Sequence, residues 1–178
     1  MRGWFGNYQV GLCALGAGLG IAAACVPAAT ATTGKQSFSG YIGAVGTQSD
    51  RRVVGSVVVA KGVYDGVGRV VERPNRPGDS GRVTRDDLVF PEGVIHIVST
   101  QQHFAIKPDP VSCTFTAEVK QTTRFDGGTG KFAHATGSFT GGVRGTALAR
   151  RTPAGACDQK HSPLFELDRF TASGTMTM

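Results

Sequence analysis

The feature that most constrains this chain is an alternation of apolar and polar residues that restarts after each cluster of Gly, Pro, Asn and Asp. A period of two sends successive side chains to opposite faces of an extended strand, so each alternating run reads as a half-buried strand and each cluster as a turn. Phe38–Val45, Arg52–Ala60, Val67–Arg73 and Val83–Phe90 are four such runs. Tyr64-Asp65-Gly66, the loop from Pro74 to Gly81 and the turn Pro91-Glu92-Gly93 punctuate them. A longer run, Val94–Ile106, places Val94, His96, Val98, Thr100 and Phe104 on one side and is broken by Lys107-Pro108-Asp109-Pro110. Cys113–Phe125, Gly137–Ala149 and Leu164–Met178 bring the expected strands to eight, with a short helical turn at Lys131–Ala135. Evenly spaced strands with short connections predict an antiparallel meander. Closing it into a single eight-stranded barrel removes the sheet edges, and a β-sandwich is the runner-up. Eight strands enclose just enough space for side chains or one small ligand.

The first 31 residues do not share this pattern. Arg2 is their only charge, Val10 to Val26 is apolar, and Ala29-Thr30-Ala31 has the small residues of a signal-peptidase site. We expect a secretory signal over 1–31, cleaved after Ala31, and a barrel domain over 32–178. An uncleaved anchor and a lipoprotein acylated at Cys25 are the alternatives; Ala22-Ala23-Ala24 before that cysteine are small, but the usual large aliphatic residue is missing. After cleavage no run is long or apolar enough for a membrane-crossing helix. The 178 residues less 31 leave about 147, enough for one good core.

The net charge of +6 falls to +5 without Arg2, and the basic residues are interleaved with acidic ones, as in Arg82, Arg85, Asp86 and Asp87. A nucleic-acid binder gathers positive charge with aromatics, so no nucleic-acid partner is expected; a weak attraction to anionic envelope or polymer is compatible with the charge. Cys113 and Cys157 are the even pair left after signal removal, and export favours a disulfide between them. Such a bond would contribute about 4 kcal/mol by loop closure.

Familiar catalytic patterns fail on chemistry. Gly78-Asp79-Ser80-Gly81 resembles a protease nucleophile segment, but the first histidine, His96, lies downstream of the serine. Gly127-Gly128-Thr129-Gly130-Lys131 lacks the upstream Gly and following Ser or Thr of a phosphate loop, those positions being Phe125 and Phe132. His96, His103, His134 and His161 are not at zinc-ligand spacing. No metal, nucleotide or other cofactor is therefore expected. Asp86 and Asp87 are adjacent and must face opposite sides of a strand; the inward one is expected to meet Arg69 or Arg85.

The stretch Gly127-Gly128-Thr129-Gly130-Lys131-Phe132-Ala133-His134-Ala135-Thr136-Gly137 resembles the glycine signature of dirigent proteins and allene oxide cyclase-like barrels. Gly68-Arg69-Val70 and Leu88-Val89-Phe90-Pro91-Glu92-Gly93 resemble the same families, and the likeness covers roughly 38–178. It implies an eight-stranded antiparallel barrel holding a small hydrophobic molecule, with the motif glycines Gly127, Gly128, Gly130 and Gly137 allowing close backbone approach, Thr129 between them, and Phe132 plugging one end. Members of these families close rings or steer couplings by positioning, with neither metal nor nucleotide. The carboxylate those families carry on the first strand is missing from Ser37-Phe38-Ser39-Gly40-Tyr41-Ile42-Gly43. We therefore expect a secreted barrel that binds a small hydrophobic molecule, with a cofactor-free isomerase or cyclase and a structural envelope protein as alternatives. For an enzyme, the candidate residues are Tyr41, Arg69, Glu72 and His103. The oligomeric state is left open.

Overall fold

The computed structural model describes residues 31–47 and 50–178. The expected signal lies outside the described residues except for Ala31, and so do Cys13 and Cys25. Eight antiparallel strands form a closed barrel in sequence order: β1 (Thr33–Gly46), β2 (Arg51–Gly62), β3 (Gly66–Arg73), β4 (Val83–Phe90), β5 (Gly93–Asp109), β6 (Thr114–Gly128), β7 (Thr136–Leu148) and β8 (Phe165–Thr177). A single 3-10 turn, Gly130–Phe132, joins β6 to β7. Continuous pairing of β1 with β8, from Thr33 opposite Thr177 to Val45 opposite Phe165, closes the ring and sets the sandwich alternative aside.

β5 does not stop at Lys107 but runs through Pro108 to Asp109. β4 begins at Val83, opposite Thr100, so β5 beyond that point pairs with β6 alone. Proline is tolerated at such an edge. A bulge between Gln101 and His103 also shifts the alternation of β5. As a result Phe104 leaves the face of Val94, His96, Val98 and Thr100 and lines the lumen.

One end of the barrel is plugged by aromatic rings. Phe38 and Phe125 pack on Phe139 at centroid distances of 5.3 and 5.1 Å. Tyr64 stands edge-on to Phe132 and Phe90 at 4.9 and 5.0 Å. Phe132 is fully buried, and each such ring contributes roughly 1.5–3 kcal/mol by leaving water. The glycine segment holds this plug against the β4–β5 turn. Thr129 N–H donates to the Val94 carbonyl at 2.8 Å and Lys131 N–H to the Glu92 carbonyl at 2.9 Å. Gly130 has φ 57° and a Cβ there would strike the Glu92 carbonyl, so glycine is required twice over. The Tyr64 hydroxyl donates to Glu92 Oε2 at 2.7 Å, and Gln36 caps both backbone groups of Tyr64.

The opposite end is open to a cavity. β2 and β3 pair only through Val58–Ala60 and Gly66–Gly68, and beyond that the Ser56 hydroxyl replaces the ladder. It donates to the Val70 carbonyl at 2.7 Å and accepts from the Val70 N–H at 3.0 Å. Cys113 and Cys157 are disulfide-bonded with Cα atoms 5.3 Å apart, fastening the 149–164 loop to the turn after β5. The loop before β4 is locked to the outer wall: Arg85 donates to both oxygens of Asp79 at 2.7 and 3.0 Å and to Asp126 at 2.9 Å.

Candidate functional site

Above the aromatic plug the lumen opens into a cavity of about 470 Å³. Its floor is apolar because Ile42, Val70, Leu88, Ile97 and Phe170 hold the inward positions of their strands. Gln101 and Gln121 line one wall; deeper in, Ser99 and Thr123 satisfy each other through a hydroxyl contact of 2.8 Å. Phe104, half exposed at 51%, overhangs the mouth.

The mouth carries four carboxyl groups. Glu72 on β3 and Asp86 on β4 are directly opposed across the ladder. Glu166 and Asp168 are two apart on β8 and share a face. Arg51, the first residue of β2, reaches between them, donating to Glu166 Oε2 at 2.6 Å and to both oxygens of Glu72 at 2.8 and 2.9 Å. The lumen mouth therefore holds a chain of groups in the order Asp86, Glu72, Arg51, Glu166, Asp168. The single guanidinium bridges the inner pair. The outer two have no cation of their own: Asp86 and Asp168 make no ion pair among the described residues.

Their titration follows from that arrangement. Burial pushes Asp86 up to about 6, helped by the negative charges of Glu72 and Asp87. Burial pushes Asp168 up to about 7, helped by the charge of Glu166 and a hydrogen bond to it. Gly145 is part of the arrangement, because a Cβ there would stand 2.5 Å from Asp168 Oδ1. Near neutral pH Asp86 is thus mostly ionised while Asp168 is divided between its two forms, so the mouth holds a proton acceptor and a proton donor, the division of labour that acid–base chemistry needs. Among the described residues no group of His, Cys, Asp and Glu is assembled as a metal site.

Of the four candidates read from the sequence, Glu72 lines this cavity. Tyr41 and Arg69 sit on the outer wall, since they alternate with the inward Ile42 and Val70. His103 lies on the outer wall beside Gln102 at the β5 bulge. The aspartate pair splits as a strand demands, but neither member meets the expected arginines. Asp86 points inward, against Glu72. Asp87 points outward, where it accepts from Arg73 at 3.3 Å and contacts His96 Nδ1 at 2.6 Å. Arg85 is spent on Asp79 and Asp126. Asp86 was singled out only for an arginine partner that it does not meet; Glu166, Asp168 and Arg51 were not singled out from the sequence. The three acids carried a usable signal: they share strand parity with Leu88 and Phe170, which face the core.

No family model, curated protein or solved structure matches the chain. The likeness to dirigent and allene oxide cyclase-like barrels thus stands on the glycine segment and its upstream partners alone.

Proposed function

We propose that the barrel binds a small, largely apolar molecule in its lumen and acts on it as a cofactor-independent isomerase or cyclase, with Asp86 and Asp168 handling the protons. The observation that carries this reading is the mouth, where two carboxyls whose titration burial raises, Asp168 further than Asp86, flank an ion-paired Glu72–Arg51–Glu166 bridge above an apolar floor. A barrel serving only as a structural part would fill its lumen with side chains, and a cavity of about 470 Å³ weighs against that.

The chemistry balances without an external reagent. A protonated carboxyl gives its proton to one atom of the substrate while an ionised carboxylate takes one from another, so the product has the composition of the substrate. Proton exchange among the mouth carboxyls then restores the starting state. A positioned acid and base of this kind typically contribute about 10²–10⁴-fold each, and the apolar floor adds orientation. The resemblance to barrels that close rings by positioning supports the same reading. The carboxyls here come from β4 and β8 instead of the first strand. The paired cysteines and the signal-like N terminus support a site of action outside the cytoplasm.

The test is native mass spectrometry of residues 32–178 after exposure to a lipid and polyketide extract of the host, followed by chromatography of the retained compound. The expected result is a retained molecule that the protein converts into an isomer of equal mass, with conversion lost in Asp86→Asn and Asp168→Asn. Failure to retain anything would overturn the ligand reading. Retention with no isomer formed would overturn the enzymatic part and leave a binding protein.

A further inference from the structure

The outer wall over β6, β7 and β8 carries an arrangement that the lumen chemistry does not use. Arg144 on β7 and Arg169 on β8 are directly opposed across the ladder. Side chains so placed have Cβ atoms about 5 Å apart, and like charges there are destabilising. Lys120 on β6 and His103 on β5 extend the basic row to its other side, and both are exposed. The acid among the saddle's side chains is Glu118, which contacts Arg144 at 3.3 Å; Arg169 and Lys120 have no ion pair among the described residues.

Between these cations the wall dips. Gly142 stands opposite Lys120 on one side and Thr171 on the other, and a Cβ there would strike the Val119 carbonyl. Backbone packing explains that glycine, and its consequence is a floor without a side chain. The rim is hydroxyl-rich: Thr140 pairs across the ladder with Ser173, and Thr171 with Ser39. The result is a shallow saddle with cations spaced about 5–8 Å apart by strand geometry. Hydroxyl donors and acceptors lie along its sides.

We infer that this saddle of Lys120, Arg144 and Arg169 on the outer β6–β8 wall binds an anionic polysaccharide, holding the barrel on a charged extracellular polymer. Two guanidiniums facing each other, of which only Arg144 has a carboxylate partner in Glu118, cost stability and are relieved by an anion between them. The spacing suits successive charged groups on one flexible chain. The threonine and serine hydroxyls match sugar hydroxyls. A nucleic acid fits less well: single-strand binders stack several bases on aromatic side chains, and the ring beside this saddle is Tyr41, opposite Arg169. The net charge of +5 that remains without Arg2 supplies long-range attraction, whereas the saddle supplies the site.

Calorimetric titration with a sulfated heparin oligosaccharide at physiological salt tests this, with a neutral dextran oligosaccharide and a single-stranded DNA oligonucleotide in parallel. Arg69 on β3 faces outward on the far side of the barrel, so Arg69→Glu changes net charge equally without touching the saddle. The expected result is binding to the sulfated sugar and not to dextran. Arg169→Glu should weaken it at least tenfold and Arg69→Glu less than twofold, and Arg169→Glu should melt no lower than the parent protein. Absence of binding, equal losses in the two variants, or tighter binding of the DNA would each overturn the inference.

Discussion

Replacing Asp86 by Asn tests the physics of the mouth independently of any ligand. The two side chains have nearly the same shape, and Asp86 makes no ion pair that the change would break. The folded protein holds the Asp86 proton up to about pH 6, against 3.8 for the ordinary side chain. Between those values the folded state binds more protons than the unfolded state, so stability falls as pH rises from about 4 to about 6 and stays at the lower level above. The gap corresponds to about 3 kcal/mol at ~1.4 kcal/mol per tenfold change. Asp86 is only half-buried and water enters the mouth, so screening reduces this to about 1–2 kcal/mol. Asparagine cannot ionise. Asp86→Asn should therefore match the wild type at pH 4 and exceed it at pH 8, with a melting temperature higher by roughly 3–6 °C for a domain of this size. Circular-dichroism melts of residues 32–178 at the two pH values measure it. Equal destabilisation at both pH values would show that Asp86 is held by favourable contacts, and the acid–base reading of the mouth would fall with it.

Removing the disulfide with Cys113→Ala and Cys157→Ala, which frees a sequence separation of 44, should cost about 4 kcal/mol by chain entropy; denaturant melts compare it with the parent. Phe132→Ala empties the centre of the plug and should cost about 3–5 kcal/mol, read by the same melts. Gly145→Ala puts a methyl group against the Asp168 carboxyl, so turnover of the retained compound should collapse. Its melt should move by less than ~1 kcal/mol, because the carboxyl can swing away. A loss of turnover matched by unfolding would refute that.

The strand parity of this chain is legible before any coordinates. Phe38 and Ile42, Val70, Leu88 and Phe90, and Phe170 fix which face of β1, β3, β4 and β8 is inward. That same parity sends Glu72, Asp86, Glu166 and Asp168 into the lumen and Tyr41 and Arg69 out of it, because a strand has no other place to put them. The strand count and the glycine-backed turn under Phe132 were legible too, since alternation and positive-φ turns are local properties.

What tertiary structure decided is where local rules break or where distance matters. The bulge after Gln101 ejects His103 and turns Phe104 inward, a choice made by the fit of β5 to β6 and by nothing local. The short β2–β3 pairing leaves a seam that Ser56 and Arg51 fill, and only barrel closure brings Arg51 between Glu72 and Glu166, 21 and 115 residues away. The raised titration of Asp86 and Asp168 follows from the same closure. Charge and desolvation depend on three-dimensional neighbours, and sequence periodicity records only which face a residue is on.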